Sequence, residues 1–71
     1  MKKKKVKVRL FAKLREIYGF SVTEMEVDSI EELQSKFKEA VLIAVNGKLI
    51  DKHVEIKDGD TIDLMPPFSG G

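Results

Sequence analysis

The sequence predicts an α+β fold: a mixed sheet of about five strands with one main helix packed on one face. Three observations predict it. Lys5 to Leu10 and Val22 to Val27 alternate with a period of two, the mark of half-buried strands. Ser29-Ile30-Glu31-Glu32 has the pattern of a helix start, and the apolar residues after it recur at helical spacing. Asn46-Gly47 closes an apolar run and is a strong hairpin signal.

In the first strand Val6, Val8 and Leu10 share one face, and Lys5, Lys7 and Arg9 the other. Lys2 to Lys4 read as a solvated start. Ala12 to Tyr18 is rich in helix formers, with Leu14 and Ile17 spaced to face the core. Gly19 is placed to end this short helix in a left-handed conformation. In the second strand Thr23, Met25 and Val27 share a face, while Glu24 and Glu26 are placed to meet Lys7 and Arg9 across the ladder. At Ser29 a hydroxyl and, three residues on, a carboxylate form a capping box. Glu31 and Glu32 also lie at the positive end of the helix dipole. Ile30, Leu33 and Phe37 then define a buried stripe, so the helix is expected to run to about Lys38 with Phe37 as its anchor.

Val41 to Val45 is apolar on both faces, as in a strand buried on both sides. Lys48-Leu49-Ile50 returns from the hairpin, and Lys57-Asp58-Gly59-Asp60 makes a second turn after Val54-Glu55-Ile56. Thr61 to Met65 is the last strand, with Ile62 and Leu64 inward and Met65 on the opposite face. Two opening strands crossed by one good helix, followed by more strands, is the β-grasp, or ubiquitin-like, arrangement. It sets the first and last strands side by side in the middle of the sheet.

Composition narrows the function. A chain of 71 residues reads as a single domain spanning 1–71, with a thin core. There is no cysteine, which excludes thiol catalysis and thiolate metal sites and fits a cytoplasmic protein. Charged residues are 35% of the chain, yet the net charge is only +1, which argues against nucleic acid as a partner. The longest apolar run, Ala40 to Val45, is too short to cross a bilayer, so no membrane partner is expected. The one histidine, His53, falls in a loop without a second ligand at metal spacing. Asp58, Asp60 and Asp63 are explained by turn chemistry and a solvent-facing strand position, and no metal site is expected. No catalytic triad, phosphate loop or Rossmann fingerprint occurs, so the chain is not expected to be an enzyme on its own.

The stretch left over is Pro66-Pro67-Phe68-Ser69-Gly70-Gly71. The prolines stop the strand, since neither donates a ladder hydrogen bond. The residues after them have little to pack into a core, so 66–71 reads as a flexible tail whose terminal carboxylate, on Gly71, is the candidate reactive group. Met65, Phe11 and Phe68 gather near the same end and make a candidate apolar docking surface. For Phe11 a place in the core is an equally good reading.

Four blocks carry a family resemblance: Val8-Arg9-Leu10-Phe11-Ala12-Lys13-Leu14-Arg15-Glu16, Ala44-Val45-Asn46-Gly47, Lys57-Asp58-Gly59-Asp60-Thr61-Ile62 and the terminal Met65 to Gly71. In that order they resemble the MoaD-like sulfur carriers, the small subunits of molybdopterin synthase, within the wider MoaD/ThiS ubiquitin-like group. The segment before Val41 is shorter than usual in that family, and Phe68 stands where valine is commoner.

The resemblance implies the chemistry. A ubiquitin-activating-type adenylyltransferase uses ATP to adenylate the Gly71 carboxylate. A sulfur donor then displaces AMP and leaves a thiocarboxylate. That sulfur passes to a pterin precursor inside the large subunit of molybdopterin synthase, building the dithiolene that binds molybdenum or tungsten. No resident cofactor is implied. Gly70 and Gly71 lack side chains and thread a narrow channel; Pro66 and Pro67 stiffen the tail's base. Met65, Pro66, Pro67, Phe68, Ser69 and Phe11 are the expected partner contacts. Two alternatives use the same acyl-adenylate: a ThiS-like carrier for thiamin-type synthesis, and a ubiquitin-like modifier joined to lysines through Gly71. Pro-Pro before the tail favours the first reading over the thiamin one. A fourth reading is a β-grasp binding module with an inert tail.

Overall fold

A computed structural model describes residues 3–50 and 54–66. Seven elements succeed one another: β1 (Lys4–Leu10), α1 (Lys13–Tyr18), β2 (Val22–Val27), α2 (Ile30–Lys36), β3 (Leu42–Val45), β4 (Lys48–Ile50) and β5 (Thr61–Met65). The five strands form one sheet in the order β2-β1-β5-β3-β4. β1 and β5 run parallel at its centre, and the other pairs are antiparallel. This is the mixed sheet read from the sequence, with the first and last strands adjacent.

Alternation along the strands sorts the side chains. Val6, Val8, Leu10, Val27, Ile43, Ile62 and Leu64 line the inner face and are buried. Against them pack Ile30 and Leu33 of α2, Phe37 just beyond it, Leu14 of α1 and Ile56. Phe37 meets the rings of Tyr18 and Phe20 edge-on, with centroids 4.9 and 6.1 Å away.

The helix ends follow local chemistry. At Ser29 the side-chain oxygen accepts from the Glu32 backbone N–H at 3.1 Å. The reciprocal half of the box is displaced by one residue, because Glu32 Oε1 accepts from the Asp28 N–H at 2.9 Å. Its other oxygen binds Lys3 Nζ at 2.9 Å, tying the start of the chain to α2. Those bonds, Asp28's first, lower the Glu32 pKa to about 2. Gly19 ends α1 at φ 84°, its N–H bonded to the Arg15 carbonyl.

Five expectations change. α2 stops at Lys36, because Phe37 leaves helical geometry (φ −123°, ψ 72°) as it turns into the core. Ile17 is exposed: α1 has only six residues, and Leu14 alone is buried there. β3 starts at Leu42, leaving Val41 exposed, and only Ile43 and Ala44 of the strand are buried. The β1–β2 register sets Lys7 opposite Glu24 and Lys5 opposite Glu26, so Arg9 faces Val22. Asp63 is not solvent-facing: it is 8% exposed, because it lies on the central strand under the Arg9 side chain.

Two turns close the far end of the sheet. Asn46 and Gly47 both have positive φ (53° and 85°), the geometry of a tight two-residue hairpin loop. The Asn46 side chain donates to Asp60 Oδ1 and accepts from the Thr61 N–H, both at 2.9 Å. The Asn46 amide, then the Lys57 backbone N–H, hold the Asp60 carboxyl below its ordinary pKa.

Candidate functional site

The tail leaves from the middle of the sheet. At its end β5 is held on both sides: the Leu64 carbonyl accepts from the Phe11 N–H at 3.1 Å, and the Met65 carbonyl from the Val41 N–H at 2.9 Å. Pro66 comes next, outside the strand, and, lacking an N–H, ends the ladder. The backbone is therefore fixed up to the residue before the prolines. Pro67, Phe68, Ser69, Gly70 and Gly71, and also His53, lie outside the described residues.

Around this exit the outer face of the sheet, opposite the helix, is largely apolar. Ile62 and Leu64 point into the core, so Met65 falls on the outer side, partly buried and opposite Leu42. Phe11 is 38% exposed and outside the buried core, so its core reading does not hold. It is held there by a sharp turn: Ala12 has φ 54° and ψ −130°, a conformation that glycine normally occupies. The next row of the ladder crosses the whole sheet as Leu49, Ala44, Asp63, Arg9 and Val22. Its two ends, Leu49 and Val22, are 65% and 52% exposed.

The centre of that row is an ion pair that sequence reasoning missed. Arg9 Nε donates to Asp63 Oδ1 at 2.6 Å, and Nη2 donates to Oδ2 at 3.0 Å, a two-point contact. The guanidinium carbon also stands 5.3 Å from the centre of the Phe11 ring. Asp63, by its hydrogen bond first, raises the Arg9 pKa. The pair was open to inference. Once Val8 and Leu10 face inward beside Ile62 and Leu64, Arg9 and Asp63 must share the outer face of adjacent strands.

Away from the tail the outer face turns charged. A groove of about 520 Å³ is lined there by Lys3, Lys5, Lys7, Glu24, Glu26 and Asp58, and both signs are represented. The face is thus divided into an apolar half at the tail and a balanced charged half beyond it. Among the described residues, no group of three or more His, Cys, Asp or Glu is placed to hold a metal ion. No helix among them is long and apolar enough to cross a membrane.

Comparison with known proteins places this geometry. The chain is 30% identical to the molybdopterin synthase sulfur carrier subunit of Escherichia coli K12, an alignment covering 93% of this chain and 99% of that one. A solved complex of subunits 1 and 2 of molybdopterin-converting factor from Helicobacter pylori 26695 matches with 31% identity and a TM-score of 0.70. That match covers 94% of this chain and 99% of the solved one. The small archaeal modifier protein 1 of Methanosarcina acetivorans is 26% identical with a TM-score of 0.75, over 97% of this chain and 98% of its own. These are small α+β relatives of ubiquitin-like β-grasp shape, as the strand order here requires. The sequence profile of the ThiS family matches residues 8–71, and the chain belongs to that family.

Proposed function

We propose that this protein is a sulfur carrier of molybdopterin synthesis. The observation that carries the reading is the near-complete alignment with a molybdopterin synthase sulfur carrier subunit, on a fold whose central strand leads directly into the tail. In this reading the Gly71 carboxylate attacks the α-phosphate of ATP on an activating enzyme, releasing pyrophosphate and forming an acyl-adenylate. A sulfide-level nucleophile (hydrosulfide) then takes the carbonyl carbon, AMP leaves with the bonding pair, and a thiocarboxylate remains. Transfer of that sulfur to a pterin precursor in the large synthase subunit, with water supplying oxygen, regenerates the carboxylate.

The chain contributes position rather than catalysis. A tail with glycine at its end presents its carboxyl carbon without steric hindrance. The anchored β5 gives it a fixed origin, and the outer face around Met65, Pro66 and Phe11 docks on the large subunit with Pro67, Phe68 and Ser69. The complex solved for the Helicobacter pylori relative supports a partner of this kind. The likeness to an archaeal modifier protein favours a second reading, in which a lysine amine rather than sulfur attacks the activated Gly71.

Intact mass of the untagged chain from its own cells tests both. A population heavier by one oxygen-to-sulfur exchange, and alkylated at Gly71, is expected. Branched conjugates on lysines, with no thiocarboxylate, would establish the modifier instead. Unmodified chain alone under sulfur-replete growth would overturn both. Gly71→Ala is expected to abolish thiocarboxylation and leave the melting temperature unchanged, and normal loading of that variant would refute the tail mechanism.

A further inference from the structure

The Arg9–Asp63 pair sits where a purely apolar docking face would be easier to bury. Removing two charges from water carries a large penalty unless every donor and acceptor finds a partner. Each Asp63 oxygen accepts a bond from Arg9. Among the described residues Arg9 keeps donors to spare. A guanidinium has five N–H donors, and among the described residues two of its bonds find acceptors, both on Asp63. The Arg9 side chain is 44% exposed, so its outward edge meets water. On the tail side its neighbours on that face, Val22, Phe11 and Met65, offer no side-chain oxygen. Glu24 and Thr61, one row away from the tail, carry oxygens, but among the described residues neither is bonded to Arg9. Among the described residues none supplies that acceptor on the tail side, so a partner that covers this side brings it itself or strands charged N–H groups in a dry contact.

The pair is electroneutral, and this fixes the chemistry of the acceptor. A second carboxylate over Arg9 would leave a net negative charge desolvated beside Asp63. A neutral oxygen completes the guanidinium without that charge. We propose that Arg9 and Asp63 form a specificity element of the docking face, recognised by a neutral oxygen acceptor of the partner: a main-chain carbonyl, or a side-chain amide or hydroxyl oxygen. The inference rests on the sulfur-carrier reading, in which that partner is the large synthase subunit. A non-cognate protein with a merely apolar surface is rejected because it leaves Arg9 unsatisfied.

The test is the affinity of the large synthase subunit from the same cells for four chains: wild type, Arg9→Met/Asp63→Val, Asp63→Asn and Met65→Lys. The double variant replaces the pair by apolar side chains and is expected to melt no lower than wild type. It is expected to bind about tenfold more weakly or worse, because the partner's acceptor loses its donor. Asp63→Asn, nearly the same shape, is expected to weaken binding similarly by leaving the Arg9 charge unneutralised; its own melting curve checks the fold. Undiminished binding by the double variant would mean that the partner brings no acceptor. Undiminished or tighter binding by Asp63→Asn would mean that the partner brings a carboxylate. Either result overturns the proposal while leaving the carrier reading intact. Wild type failing to bind, or Met65→Lys binding as wild type does, would overturn the docking face itself and the proposal with it.

Discussion

Ala12 holds a conformation that a β-carbon disfavours, at φ 54° and ψ −130°, in the turn that sets Phe11 beside the tail exit. Strain of this kind costs roughly 1–3 kcal/mol in folded proteins. Glycine would relieve it, while giving back about 0.4–1 kcal/mol through a more flexible unfolded chain. Ala12→Gly is therefore expected to stabilise the fold by about 1 kcal/mol net, read as a higher urea midpoint with an unchanged slope. A lower midpoint would mean that the turn is unstrained. Residue-scale facts of this sort were only partly legible. Gly19 and Asn46-Gly47 were, because their types match the left-handed angles found. Ala12 was not, because alanine after Phe11 reads simply as a helix former. Asp63 was misread for a physical reason: an outward position in a central strand is flanked on both sides, and there a carboxylate is covered once a long cation lies over it.

At the scale of elements, β2 was legible to its ends and the Ser29 cap of α2 from four residues, while the reciprocal half of the capping box and the registry between strands were not. β1 and β2 are joined through α1 rather than by a tight turn, so no turn geometry fixes their offset, and Glu26 meets Lys5 instead of Arg9. The start of α2 yields a pH prediction. Glu32 titrates at about 2 in the folded protein, against an ordinary carboxyl value of 4.5. Its folded pKa is depressed, so its contribution is fully present above the unfolded value and is lost as pH falls from there toward about 2. In that window the unfolded chain binds the proton that the native carboxylate refuses. Glu32→Gln removes this linkage but keeps an oxygen for the Asp28 N–H. The melting temperature of wild type is expected to fall more steeply with acid than that of Glu32→Gln, and parallel curves would refute it. Asp60 shifts in the same direction in both proteins and so drops out of the comparison.

The molecule as a whole separates what folds it from what it offers to partners. The inner face, α2 and Phe37 make the core; the outer face and tail make the candidate site. The adjacency of the first and last strands in the middle of the sheet was legible from element order, through the β-grasp arrangement it suggests. The composition of the outer face was not, because it depends on which outward residues become neighbours. The separation can be tested with two substitutions. Phe37 joins α2 to Tyr18 and Phe20, and a Phe→Ala change in such a place removes about 3–5 kcal/mol. A domain of 71 residues holds roughly 4–10 kcal/mol in all. Phe37→Ala is therefore expected to leave a large unfolded fraction, or a steep loss in denaturant midpoint, and to lose partner binding only through unfolding. Gly71→Ala, by contrast, should unfold with wild type and bind with near-normal affinity through the outer face while accepting no sulfur. If Phe37→Ala melted with wild type, the aromatic cluster would not be the keystone of the core. If Gly71→Ala lost binding together with loading, the tail and not the outer face would carry the affinity, and a docking surface built around Met65 and Phe11 would be left without an energetic role.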